Sequence, residues 1–158
     1  MTTNGRSNDV ECLIAIEAIR QVKARYWRGV DCKDAVLLRA ALTPDVVTDF
    51  RGEAPAGHND HLLMHAAEPF IAQLLGVLTG VVTAHHGHAP EIDILSATEA
   101  TAIWPMQDTL WVVDDACALP FRRLRGFGHY HDRYHRTAEG WRISYMRLDR
   151  LHMEIEPR

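Results

Sequence analysis

A chain of 158 residues, 47% hydrophobic and 24% charged, has the length and composition of one domain with one core, and it holds no apolar run near the roughly 20 residues of a membrane span. Its net charge of −4, from 17 basic and 21 acidic residues with the arginines scattered, offers no field for nucleic acid. Cys12, Cys32 and Cys117 are odd in number and form no Cys-x-x-Cys pair, which argues against a disulfide framework or a thiolate metal site and fits a reducing cytoplasm; the polar start, Met1 to Val10, lacks the pattern of a secretory signal.

Met1 to Ser7 is small and polar and reads as a disordered start, after which Asn8 with Glu11 has the form of a capping box. Apolar residues at Leu13, Ile16, Ile19, Val22, Tyr26 and Val30 then draw one helical stripe toward a core. Asp31 to Asp34 breaks that helix and caps a shorter one over Ala35 to Leu42, which Thr43-Pro44-Asp45 stops. Val46 to Phe50 is a short β-branched strand. A third helix is expected from a cap at Asn59 or Asp60 through Leu62, Leu63, Ala66, Phe70, Leu74 and Leu75, with Pro69 kinking it.

From Leu78 onward the signals are β: Leu78 to His86, Glu91 to Ser96, Thr98 to Trp111, Phe121 to Arg136 and Gly140 to Glu154. Helices first and strands after argue an α+β domain spanning 1–158, in which a curved, mainly antiparallel sheet wraps around the N-terminal helices.

The chemistry centres on Val81 to Ile92, where His85, His86 and His88 fall on a strand. Alternation places His86 and His88 on one face and His85 with Thr83 and Val81 on the other. With His85 inward, the strand offers one buried proton-transfer base that needs a carboxylate partner; with His86 and His88 inward, it offers a metal clamp, for which His129 and His131 would complete a four-histidine set. Asp31 sits at a helix C-terminus, where a carboxylate opposes the dipole. Tyr26 lies five residues earlier, about 140° around an ideal helix from Asp31, so both line one cavity only if the helix loosens near Gly29. Asp108 stands in an aromatic and apolar strand, a costly position unless paired or at an edge. On the last strand, strict alternation puts Trp141, Ile143, Tyr145 and Arg147 on one face and Arg150 on the other.

Four segments in order, Arg25-Tyr26 with Gly29-Val30-Asp31, Thr43-Pro44-Asp45, Thr83 to Ile92, and Gly128-His129-Tyr130 leading to Gly140-Trp141-Arg142-Ile143, make the chain resemble the SnoaL-like branch of the nuclear transport factor 2-like superfamily. Ketosteroid isomerase, scytalone dehydratase, hexachlorocyclohexane dehydrochlorinase and bile acid 7α-dehydratase are in that superfamily. The resemblance implies a cone-shaped half-barrel with an apolar pocket, often dimeric across its outer sheet face. It also implies cofactor-free, metal-free chemistry by a His-Asp dyad at His85 and Asp31, with Tyr26 and Asp108 as further catalytic groups. A functional arginine near the chain end falls on Arg147 or Arg150, and Arg147 is the favoured choice. Trp104, Met106, Phe127 and Tyr145 are expected in the substrate-binding wall, their other reading being ordinary core. The expectation is therefore a lyase, dehydratase- or dehydrohalogenase-like, or an isomerase, acting on a small apolar ring compound as a homodimer or higher homo-oligomer. The alternatives are a non-catalytic ligand-binding or protein-interaction module of the same fold, a metal enzyme built on the four histidines, and the small subunit of a ring-hydroxylating dioxygenase.

Overall fold

In the computed structural model, which describes residues 3–53 and 59–158, the first helix, α1, runs Thr3–Asp31. Ala15, Ile19, Val22, Tyr26, Trp27 and Val30 bury its second half, whereas Leu13 is 65% exposed beside Val10 and Ile14, so the buried stripe starts later than expected. Asn8 lies inside the helix and does not open it. Of the start expected to be disordered, Met1 and Thr2 lie outside the described residues and Thr3 to Ser7 are helical.

The chain leaves α1 through a Schellman closure. The Asp34 N–H donates to Gly29 O at 2.8 Å and the Lys33 N–H to Val30 O at 3.2 Å, with Lys33 in the left-handed region at φ 55°. Asp34 then caps α2 (Ala35–Ala41), its carboxylate accepting from the amides of Val36 and Leu37 at 2.9 and 3.1 Å. The expected stop at Thr43-Pro44-Asp45 belongs instead to β1 (Leu42–Asp49). Pro44, which has no N–H to give, sits where the pairing register jumps between Leu42 and Val47.

The expected third helix is divided. Asp60–Leu62 is a 3-10 turn, Leu63–His65 is the short strand β2, and α3 covers Ala67–Val77. An apolar run of this length reads equally as strand or helix. Pro69 falls in the first turn of α3, where an N–H has no intrahelical partner to lose, so it starts the helix rather than kinking it.

The remaining strands are β3 (Val81–Gly87), β4 (Glu91–Ile94), β5 (Glu99–Val112), β6 (Phe121–Thr137) and β7 (Gly140–Pro157). They form an unclosed, curved sheet in the order β2-β1-β7-β6-β5-β3, with β4 lying on the other half of β5. All pairings are antiparallel except that of β1 with β7. The long β6–β7 pair carries irregularities at Phe121/Arg123, Phe127/Gly128 and Arg133/Tyr134, and such bulges bend a strand and increase its twist. The helices cover the concave face, and no helix among the described residues is long and apolar enough to cross a membrane.

One polar contact fixes α1 on the sheet. Lys23 and Asp132 are both fully buried, with Nζ 2.8 Å from Oδ2. The same carboxylate oxygen accepts from the Tyr134 hydroxyl at 2.8 Å, and that hydroxyl accepts from Trp104 Nε1 at 3.0 Å. Burial pulls the Lys23 ammonium below its ordinary value and pushes the Asp132 carboxyl up, while each partner's charge works against its own loss. A pair desolvated to this degree is strongly coupled: removing one member leaves the other charged without compensation, whereas removing both charges does not. Lys23→Met should therefore lower unfolding free energy by about 3–5 kcal/mol in urea denaturation, and the double change Lys23→Met with Asp132→Asn, which keeps an acceptor for Tyr134, should recover most of that loss. An equal deficit in both variants would show that the coupling is absent.

Candidate functional site

The inward face of β3 carries Val81, Thr83 and His85, and the outward face leaves His86 and His88 exposed. Gly87 continues the inward face without a side chain, because a Cβ there would fall on the Trp27 indole. His85 is thus the inward imidazole, its side chain only 9% exposed.

Asp31, the last residue of α1, reaches it directly. His85 Nδ1 lies 2.6 Å from Asp31 Oδ1, and the His85 backbone N–H donates to Asp31 Oδ2 at 3.0 Å. As β3 is an edge strand, that carboxylate also takes up an amide left without a neighbouring strand. The Thr83 hydroxyl donates to Asp31 Oδ1 at 2.8 Å. Burial alone would raise the Asp31 carboxyl, but the hydrogen bonds and charge of His85, with the bond from Thr83, hold it below the ordinary carboxylate range. An ionised Asp31 can only accept, so the Nδ1 atom of a neutral His85 must carry the ring proton. Nε2 is then the basic nitrogen.

That nitrogen is on the cavity side of the ring. A cavity of about 220 Å³ is lined by His85, Thr83, Tyr26, Val30, Tyr130, Asp108, Leu110, Leu148 and Arg150 from the helix and sheet, and roofed by Phe50, Leu62, Met64, Phe70, Gln73, Leu74, Val77 and Leu78. Phe50 and Phe70 stack with centroids 5.8 Å apart. Tyr26 faces the cavity while Asp31 stands behind the His85 ring, so both contribute to one site without any loosening of the helix.

Asp108, 2% exposed, is the register partner of His85 on β5, its Oδ2 3.8 Å from His85 Nε2, longer than a hydrogen bond. It is clamped by Arg150, whose Nη1 and Nη2 donate to Oδ1 and Oδ2 at 2.8 and 2.7 Å. The clamp depends on Gly126 of β6: a Cβ at that position would fall on the Arg150 guanidinium and lie 2.5 Å from Asp108 Oδ1.

Arg150 and not Arg147 faces the cavity. Tyr134 of β6 pairs with Ile143 and Arg133 with Tyr145, leaving Ser144 as an extra residue that reverses the alternation of β7. Met146, Leu148 and Arg150 turn inward as a result, while Tyr145 and Arg147 turn to the outer face. Arg147 there binds Asp149 at 2.8 Å, and Arg133 lies over the Tyr145 ring at 5.3 Å. Phe127 is also on the outer face, stacked on His152 with Arg125 against its ring. Trp104 is in the core beyond the cavity wall, its ring edge-on to Trp27. Met106 backs the arginine, its Sδ 3.8 Å from Arg150 Nη1. Trp104, Met106, Phe127 and Tyr145 therefore do not line this cavity; its roof is Phe50, from the end of the β-branched strand, with residues of the largely apolar stretch from Leu62 to Leu78.

The outer histidines do not assemble. β5 lies between β3 and β6, so the pair His86 and His88 is not on a strand adjacent to His129 and His131. Among the described residues no group of three or more His, Cys, Asp or Glu is arranged to hold a metal ion.

Comparison with known proteins agrees with this geometry. A family model described as a SnoaL-like domain matches residues 11–147. Solved structures resemble the chain over most of its length. A protein from Kribbella flavida aligns with TM-score 0.78 and 22% identity over 90% of this chain and 95% of its own. A candidate scytalone dehydratase from Novosphingobium aromaticivorans aligns with TM-score 0.76 and 18% identity over 94% and 96%. A type 2 hexachlorocyclohexane dehydrochlorinase aligns with TM-score 0.76 and 17% identity over 93% and 92%. At such identities these likenesses establish a shared fold. With the matched segment covering most of the chain, and with the helix-then-strand order and curved unclosed sheet that its structural neighbours share, the chain belongs to the SnoaL-like family.

Proposed function

We propose that this chain is a lyase or isomerase that removes a proton from carbon in a small, mostly apolar ring compound, with His85 as the base. The observation that carries the reading is the His85 ring, bonded through Nδ1 to an ionised Asp31 and presenting Nε2 to an apolar cavity. Asp31 fixes the tautomer and stabilises the imidazolium formed when Nε2 takes the proton. A positioned base of this kind contributes typically about 10²–10⁴-fold.

The electron pair left on carbon then expels a leaving group or becomes an enolate. Tyr26, on the cavity wall with Tyr130, is positioned to donate a proton to either oxygen. Asp108 is less suited to that task, since the Arg150 fork occupies both of its oxygens. Its role in this reading is to hold the guanidinium at the cavity, where a fixed positive charge stabilises the negative charge that develops. Every step uses side chains of this chain. The similarity to a dehydrochlorinase and a candidate dehydratase suggests chlorinated cyclohexanes and cyclic β-hydroxy ketones as the first compounds to try.

On a compound that is turned over, His85→Ala and Asp31→Ala should each lower kcat by about 10²-fold or more, read by loss of substrate and by incorporation of solvent deuterium at the acidic carbon. Retention of turnover within a few-fold in both variants would refute the dyad. Arg150→Met should lose at least about 10-fold in kcat/KM, while Arg147→Met should stay within about 2-fold. The reverse order would return the cavity arginine to Arg147.

A further inference from the structure

Lys33 has no part in the proposed reaction, yet its backbone is strained and its side chain reaches the dyad. At the left-handed C′ position of a Schellman closure glycine is the usual occupant, because other L-residues pay a steric cost there. Here Lys33 takes φ 55°. Its half-buried side chain turns back along the helix end, where Nζ donates to Thr83 Oγ1 at 3.0 Å and approaches the backbone oxygen of Asp31 at 3.4 Å. Thr83 in turn donates to Asp31 Oδ1 at 2.8 Å.

The direction of these bonds is forced. An ammonium has donors and no acceptor, so Thr83 Oγ1 must accept from Lys33 and direct its own single proton elsewhere. The Asp31 carboxylate is the acceptor it meets. Lys33 therefore fixes the hydroxyl rotor and adds a positive charge two bonds away from the carboxylate that supports His85.

We propose that Lys33 is a positioning residue of the dyad, which orients the Thr83 hydroxyl onto Asp31 and restrains the basicity of His85 through its charge. The role rests on the reading of His85 as the base. Two effects of the ammonium have the same sign: it repels an imidazolium on His85, and it offsets part of the Asp31 charge that would stabilise that imidazolium. The other groups facing His85 are Asp31 and Tyr26 from α1, Asp108 from β5, Tyr130 from β6 and Arg150 from β7, and of these Asp31 is the one through which Lys33 acts. Burial draws the Lys33 ammonium below its ordinary value and the Asp31 charge draws it back up, in keeping with a coupling between the two.

The test is the titration of His85 in the full chain, followed through the ring carbon signals by NMR, with no substrate present. Lys33→Met and Lys33→Gly should each move the midpoint upward by about 0.5–1 unit, the size expected of one charge removed at this range behind partial solvent screening. Lys33→Arg should leave it nearly unchanged. Lys33→Gly also relieves the left-handed backbone, so it should fold at least as well as the parent, and a moved midpoint in a stable protein separates charge from structure. An unchanged or lowered midpoint in folded Lys33→Met and Lys33→Gly overturns the proposal. Because the readout needs no turnover, it stands or falls separately from the reaction. Should His85→Ala retain activity while Lys33→Gly still moves the His85 titration, the error lies in the assignment of His85 as base.

Discussion

The bond of 2.6 Å between Asp31 and His85 joins the last residue of the first helix to the inward face of an edge strand, and the geometry of the site follows from keeping that joint closed. Asp31 stands at the helix end that repels negative charge, so the position is unfavourable until something repays it. The His85 ring, the His85 amide and the Thr83 hydroxyl do so together. The same carboxylate thereby serves the fold, by closing the open edge of β3, and the chemistry, by deciding which ring nitrogen faces the cavity.

Two other polar contacts hold the frame in which that joint can form. Lys23 and Asp132 pin the middle of α1 against β6, and this fixes where Tyr26 and Asp31 arrive along the sheet. Arg150 and Asp108 connect β7 to β5 above Gly126, and the cation enters the cavity as part of a pair rather than alone. Each is a buried charge pair, which adds little net stability but penalises every alternative packing that would leave one charge unpaired. Helix and sheet are thus registered by polar contacts at two places and strand on strand at a third, and the apolar roof from β2 and α3 closes over what remains.

Much of this was legible in the sequence. Strands with turn residues between them are marked by alternation, so β3 to β7 could be read to within a few residues and His85 could be set on the face opposite His86 and His88; that His85 is the inward one came from the family resemblance, since alternation does not say which face meets the core. Asp34 and the Asp31 break were visible through capping chemistry. The choice between Arg147 and Arg150 was not, because the Ser144 bulge reverses alternation with no glycine or proline to announce it. Leu62 to Ala66 misled for a different reason: a short apolar run carries no period long enough to separate strand from helix. Lys33 and its bond to Thr83 were hidden because a half-buried lysine in a turn looks like surface until its backbone angle and its acceptor are known. The four-histidine alternative stayed open at the level of sequence because strand order, which puts β5 between β3 and β6, is not written in spacing.

The central claim is that Asp31 holds His85 with its proton on Nδ1 and its lone pair on Nε2, facing the cavity. Nitrogen-15 NMR of the imidazole side chains, recorded at a pH where His85 is neutral, reads this directly, since the protonated and bare ring nitrogens differ widely in chemical shift. The account predicts that His85 is the Nδ1–H tautomer and that Asp31→Ala abolishes this preference. A His85 ring protonated on Nε2 in the unsubstituted protein would contradict it, because the nitrogen facing the cavity would then have no lone pair with which to take a proton.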